Sequence, residues 1–192
     1  MTSSTGLETR ARELLAAGDV RAAATEVLHE LGPHVVRYLR SVLRNDEDAA
    51  EAFSGFAEDL WRGLPSFRWE ATLRGWVFRV AYHAALDVRN DTFRRHGRRL
   101  ETGEASVLAA EIHTTAPRLE AQRRALDDLR DTLSAEEQSL LVLRVDQQLP
   151  WEEVALVQEG DADPRTVAAL RKRFERLKER LARLARERGV IE

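Results

Sequence analysis

The sequence predicts an all-α protein built as two helical domains joined by a flexible linker, and three observations lead there. Glycine and proline are sparse, 10 and 5 among 192 residues, so little interrupts helical backbone. Apolar residues recur at spacings of three and four in successive segments, the period of a helix with one buried face. Capping residues punctuate those segments where helices should begin and end.

Between Leu7 and Leu31 the apolar positions Leu14, Leu15, Val20, Val27 and Leu28 read as two short helices, with Gly18 stopping the first and Asp19 capping the second. Gly32-Pro33 should break the chain again, with Pro33 in the first turn of a new helix. That helix carries Val35, Val36, Leu39, Val42 and Leu43 and runs to about Arg44, where Asn45-Asp46 closes and recaps. Residues 47–63 place Ala50, Phe53, Ala57, Leu60 and Trp61 on one predicted buried face, and Pro65 ends the segment. An aromatic and basic stretch, Phe67-Arg68-Trp69, precedes a helix from about Leu73, with Trp76, Val77, Val80, Ala81, Ala84 and Val88 as its apolar positions, running into Arg94-Arg95.

Residues 97–117 are polar and aperiodic and read as a linker. A helix near Leu119 then buries Leu126 and Leu129. Ser134 with Glu137 three residues on forms a capping-box signal, followed by Leu140, Leu141, Leu143 and Val145 in a helix reaching Val145. Trp151 to Gln158 is short; Asp163-Pro164 opens a long final helix with Val167, Leu170, Phe174, Leu177, Leu181 and Leu184 as its stripe. The resulting division is 1–32, an amino-terminal helical segment; 33–96, a helical bundle; 97–117, the linker; and 118–192, a second helical domain.

Composition excludes several chemistries. The chain has no cysteine, so disulfides, thiolate metal sites and cysteine nucleophiles are ruled out, and the cytoplasm is the expected compartment. No apolar run reaches the roughly 20 residues that cross a bilayer, so membrane insertion is not expected. The five histidines lack metal-binding spacing, neither a phosphate-binding glycine loop nor a nucleophile elbow is present, and no cofactor, metal or enzymatic activity is expected.

The net charge of −3 conceals strong segregation. From Asp127 to Asp163 there are eleven carboxylates and two arginines, whereas Arg171 to Arg188 carries nine basic residues and three glutamates. Screening within about 10 Å makes such local patches decide what a surface attracts. Trp151–Gln158 and Pro164–Arg176 form a helix-turn-helix pattern whose second helix could enter a DNA major groove. Its first turns offer Arg165, Thr166, Ala169, Lys172 and Arg173 to base edges, with Arg171, Arg176 and Lys178 for phosphates. A merely solvated helix, laced by pairs such as Glu175 with Lys178, fits the same residues. The loop Phe67-Arg68-Trp69 could stack unpaired bases, or its rings could cap the core at a helix junction.

The order of these parts resembles the extracytoplasmic-function sigma factors of bacterial RNA polymerase, in the sigma-70 superfamily. Asp48-Ala-Ala-Glu-Ala-Phe53-Ser-Gly-Phe-Ala-Glu-Asp-Leu-Trp61 is similar to their region 2 helix that docks on polymerase, which implies that role for Asp48, Glu51, Phe53, Ser54 and Glu58. Trp76-Val-Phe-Arg79-Val-Ala-Tyr-His83-Ala-Ala-Leu-Asp87-Val-Arg89 resembles the helix that reads the promoter −10 element. The resemblance implies −10 recognition and melting by Phe67, Arg68, Trp69, Arg79, His83, Arg89, Arg94 and Arg95. Leu133-Ser-Ala-Glu-Glu-Gln and Leu149-Pro-Trp-Glu-Glu-Val-Ala155 are similar to region 4, which binds the −35 element. Glu51-Ala-Phe-Ser54 stands where the family often has Asp-x-x-Gln, His83 where asparagine is usual, and the turn before Thr166 is longer than common. The partners implied are core RNA polymerase, promoter DNA and an anti-sigma factor. Readings from other classes are a helical protein-interaction adaptor and a two-domain helix-turn-helix repressor.

Overall fold

The computed structural model describes residues 3–96, 129 and 132–188, with the backbone alone for 3–5 and 92–96. Every described element is helical. The expected linker at 97–117 and the helix near Leu119 and Leu126 lie outside the described residues, while Leu129 is buried.

Helix α1 (Ser3–Ala16) ends at Gly18, whose φ of 78° is the left-handed conformation glycine adopts without strain. Asp19 then accepts a hydrogen bond from the Ala22 amide and starts α2 (Val20–Leu43). The break expected at Gly32-Pro33 is absent, because α2 passes straight through Pro33. A mid-helix proline removes one backbone hydrogen bond. Here Pro33 and His29, whose carbonyl loses its partner, are both exposed, so water can take that bond. The buried stripe Val27, Leu31, Val35, Tyr38, Leu39 and Val42 keeps the two halves aligned.

Arg44 closes α2 at φ 56°, and Asn45 accepts from the amides of Glu47 and Asp48 to open α3 (Asp46–Gly63). The buried face of α3 is Ala49, Ala52, Phe56 and Leu60. This differs from the face expected from spacing: Ala50 is exposed, Phe53 and Ala57 are half-buried, and Trp61 is 44% exposed. Small or apolar residues stand in four adjacent pairs along this helix, Ala49-Ala50, Ala52-Phe53, Phe56-Ala57 and Leu60-Trp61, so the period alone left the rotation ambiguous, and packing on α2 and α4 selected Phe56.

A single 3-10 turn, Leu64–Ser66, leads to the aromatic loop. Thr72 starts α4 (Leu73–His96), its hydroxyl accepting from the Gly75 amide at 3.0 Å. Leu73, Val77, Phe78, Ala81, Tyr82, Ala84, Ala85 and Val88 form its buried side. Helices α2, α3 and α4 pack as a bundle with α1 laid against α2.

The second unit starts with the predicted capping box. The Ser134 hydroxyl accepts from the Glu137 amide, and the Glu137 carboxylate accepts from the Ser134 amide. Helix α5 (Ala135–Leu141) does not continue as an α-helix to Val145; it widens into a π-turn at Val142–Asp146. Val145 is consequently 51% exposed, while Val142 and Leu143 are buried. Helix α6 (Trp151–Gln158) and helix α7 (Pro164–Glu187) follow, with Asp163 accepting from the Arg165 amide at 2.8 Å and Pro164 in the first turn. Val167, Leu170, Phe174 and Leu177 seat α7, while Leu181 and Leu184 are only half-buried.

Arg180 of α7 also reaches the Glu137 carboxylate at 2.6 Å. Burial pushes that carboxyl up, but the bonds from Arg180 and from the Ser134 amide outweigh it and hold its pKa below the usual carboxylate range. The contribution of this pairing to stability is therefore full above the ordinary carboxylate pKa and is lost as pH falls through the lower folded value. Ser134→Ala should cost about 1 kcal/mol, read as a lower urea midpoint at neutral pH; an unchanged midpoint would show that the box is dispensable.

The two units share one core. The buried Tyr38 hydroxyl of α2 and Ser139 hydroxyl of α5 are hydrogen-bonded at 2.8 Å, and α6 packs along α4.

Candidate nucleic-acid interface

Burying one side of α4 turns Arg79 and His83, one helical turn apart, to solvent. Arg89 is also exposed, and its guanidinium pairs with Glu136 of α5 at 2.9 Å. Arg94 and Arg95 continue the backbone of α4, and their side chains lie outside the described residues.

The aromatic loop stands at the amino end of this helix. Phe67 stacks on Trp76, with ring centroids 4.9 Å apart and planes inclined by 26°, and also meets Trp69 at 4.7 Å. Phe67 thus joins the loop to the core edge. Trp69 is half-buried and has φ of 62°, a region that bulky residues rarely occupy and that carries strain. Arg68 is exposed beside Glu70 at 3.8 Å.

Helix α1 grips this corner, a role that its own periodicity did not signal. The Arg12 guanidinium lies over the Trp69 ring, 4.4 Å from its centroid, and Glu8 accepts a hydrogen bond from the Leu73 amide at 2.6 Å. A carboxylate there complements the positive end of α4. Glu153 of α6 approaches the same first turn, bonded to Thr72 and so close to Gly75 that a Cβ there would stand 2.7 Å from its oxygen. Burial pushes the Glu153 carboxyl up and Glu8 adds to this, against the Thr72 bond and Arg74. Glu8 and Arg12 belong to no sequence motif, and Glu153 lies in the Leu149–Ala155 motif without a role read from it, since each acts through a residue distant along the chain.

On α7, Arg165, Ala169, Lys172 and Arg176 are exposed, and Thr166 and Arg173 are half-buried. Glu159, Thr166, Ala169, Leu170, Arg173 and Arg176 line a groove of about 360 Å³. Some of the cations of α7 are already paired: Arg171 with Glu152 at 3.8 Å, Arg173 with Glu159 at 3.2 Å and Lys178 with Glu175 at 2.8 Å. Arg165, Lys172 and Arg176 have no carboxylate partner among the described residues. These are exposed pairs, worth little in water and open to exchange for phosphate. Gly160, at φ 83°, ends α6 and turns the chain toward α7. Trp151 meets Phe174 edge-on at 5.4 Å and locks the two helices together.

The third cluster lies on α3. Asp48 is half-buried in the first turn, and Glu51 and Ser54 are exposed. Phe53 packs beside Phe56 at 5.6 Å, and Glu58 pairs with Arg62 at 3.0 Å. Trp61 joins the exposed side of this helix, which makes it a surface aromatic that the expected buried face concealed.

A family model for sigma-70 region 2 matches residues 27–99, which contain α3, the aromatic loop and α4. That part of the chain is similar to sigma-70 region 2. The matched segment includes most of α2, across the point where a break was expected. The sigma factor RpoE of Bartonella quintana, solved as a co-crystal with the anti-sigma factor NepR, is similar in structure with a TM-score of 0.64. The two are 18% identical, and the match covers 84% of this chain and 96% of that one, so the shared fold reaches well past region 2. No curated protein matches the chain in sequence. Among the described residues, no His, Cys, Asp and Glu group could hold a metal, and no helix is long and apolar enough to cross a membrane.

Proposed function

We propose that the chain is a sigma factor that directs core RNA polymerase to promoters in the cytoplasm, reading the −10 element with α4, the −35 element with α7, and holding an opened base at the Trp69 loop. The observation that carries the reading is the joint placement of two outward basic helix faces, one at the family's region 2 and one on a capped helix packed behind a short turn. Helix α3, with Asp48, Glu51, Phe53, Ser54 and Glu58 and the neighbouring Trp61, is the surface proposed for polymerase. An anti-sigma factor is a further proposed partner, supported by the complex in which RpoE was solved.

The chemistry follows from the charges. Arg165, Lys172 and Arg176 meet DNA without first giving up a carboxylate. With about six phosphate contacts, log affinity should fall against log salt with a slope near −0.9 per contact. Polymerase holds both DNA units on one template, so weak contacts suffice through effective concentration. Adding the chain to core polymerase should give initiation at defined starts; failure across a genomic promoter library with the cognate polymerase would overturn the proposal.

Lys172→Ala or Arg173→Ala should weaken upstream recognition by about 1–3 kcal/mol where the side chain makes a bidentate base contact. The check is a footprint and transcript yield on promoters with and without the upstream element. Equal losses on both kinds of promoter would remove these residues from base reading.

A further inference from the structure

Helix α1 lies outside the segment matched to region 2, which begins at residue 27, and it is fixed where it lies. Leu7 and Ala11 are buried in the core, Arg10 is paired with Glu26 of α2, and Glu8 holds the Leu73 amide at the start of α4. Arg12 stands one turn after Glu8 on the same side of the helix, and its situation differs. It is exposed and has no carboxylate partner among the described residues; its guanidinium lies over the Trp69 ring, 4.4 Å from the centroid. A fixed helix thus presents one untethered planar cation to the aromatic loop.

The Trp69 ring has two neighbours of different kinds. Phe67 meets it at 4.7 Å and is itself stacked on Trp76, so that wall is anchored to α4. Arg12 covers the ring from α1, and an exposed contact between a cation and a ring is weak enough to be exchanged. Guanidinium planes stack on bases as aromatic rings do. Making room for a base over Trp69 requires Arg12 to swing outward by one van der Waals layer, about 3.5 Å. Rotation of its long side chain supplies that while α1 stays in place. We propose that Arg12 and Trp69 form a two-sided clip for the opened base, which enters between guanidinium and indole with one face on Trp69 and the other under Arg12. The amino-terminal helix is then part of the binding site. This inference deepens the promoter reading above and rests on it.

The test uses the full chain bound to core polymerase and the single non-template strand of the −10 element, with an abasic nucleotide placed at each position in turn. The position held at Trp69 is the one whose abasic form binds the wild-type and Trp69→Ala complexes equally well. Arg12→Ala should weaken binding of the intact strand roughly three- to tenfold. On the strand abasic at that same position it should cost nothing, because no base remains to be covered. Arg12→Lys should recover little, since it keeps the charge and loses the planar face. Circular dichroism of both variants should match the wild type, Arg12 being exposed. Equal losses on intact and abasic strands would make Arg12 a support for the loop, and full recovery with lysine would assign it to a phosphate. Either result overturns the clip, as would the absence of any loss or of any position coupled to Trp69. A wild-type complex that binds promoter and unrelated strands alike would instead sink the promoter reading, and the clip with it.

Discussion

Phe78→Ala should destabilise the protein by about 3–5 kcal/mol, the usual range for emptying a fully buried aromatic site. Phe78 is 0% exposed and meets Tyr38 edge-on, with ring centroids 5.5 Å apart. Its loss removes contacts from α4 and leaves Tyr38 unsupported on one side, so the Ser139 hydrogen bond is affected as well. Burial already pushes the Tyr38 phenol well above its ordinary pKa, so it stays protonated. For a domain of this size the melting temperature should fall on the order of 10 °C. A drop of only a degree or two would show that the site collapses around the smaller side chain, and that the α2–α4 packing is less specific than its burial implies.

Trp69→Ala should chiefly impair strand opening. Stacking of one base is worth about 1–3 kcal/mol, so open complexes on duplex promoters should fall roughly 5- to 150-fold, while a template already melted at that position should be much less affected. Permanganate footprinting on the two templates separates these cases. Equal loss on both would defeat the flipped-base role and leave Trp69 as a structural cap. The Arg12 guanidinium over the ring makes this test pointed, because a base arriving at Trp69 must share or displace that cation.

Much of the local structure was legible because it depends on neighbours in sequence. Asp19, Asn45, Ser134 with Glu137, and Asp163 with Pro164 each act within a few residues, and each caps the helix it should. What was not legible depends on distant partners. The passage of α2 through Pro33 is decided by a stripe buried against α3 and α4, and the rotation of α3 by where Phe56 finds room. The π-turn at Val142–Asp146 has no periodic signature. For the candidate site, charge segregation exposed the basic faces, and motif order pointed to their roles. It could not show that acidic residues of the second unit would be set against the arginine-bearing side of α4, as Glu136 is against Arg89. Nor could it give α1 its place at the Trp69 loop.

The Tyr38–Ser139 contact joins residues 101 positions apart. Bringing such distant points together carries a loop-closure entropy that the short-range helical contacts avoid. The capped helices should therefore form first and the two halves of the chain associate afterwards. Amides of α2 and α4 behind Phe56 and Phe78 should exchange with solvent deuterium only on global unfolding, whereas those of α5 should exchange through a lower-energy opening. A single protein would then show two protection levels, with the step between them falling at the seam where hydroxyl meets hydroxyl.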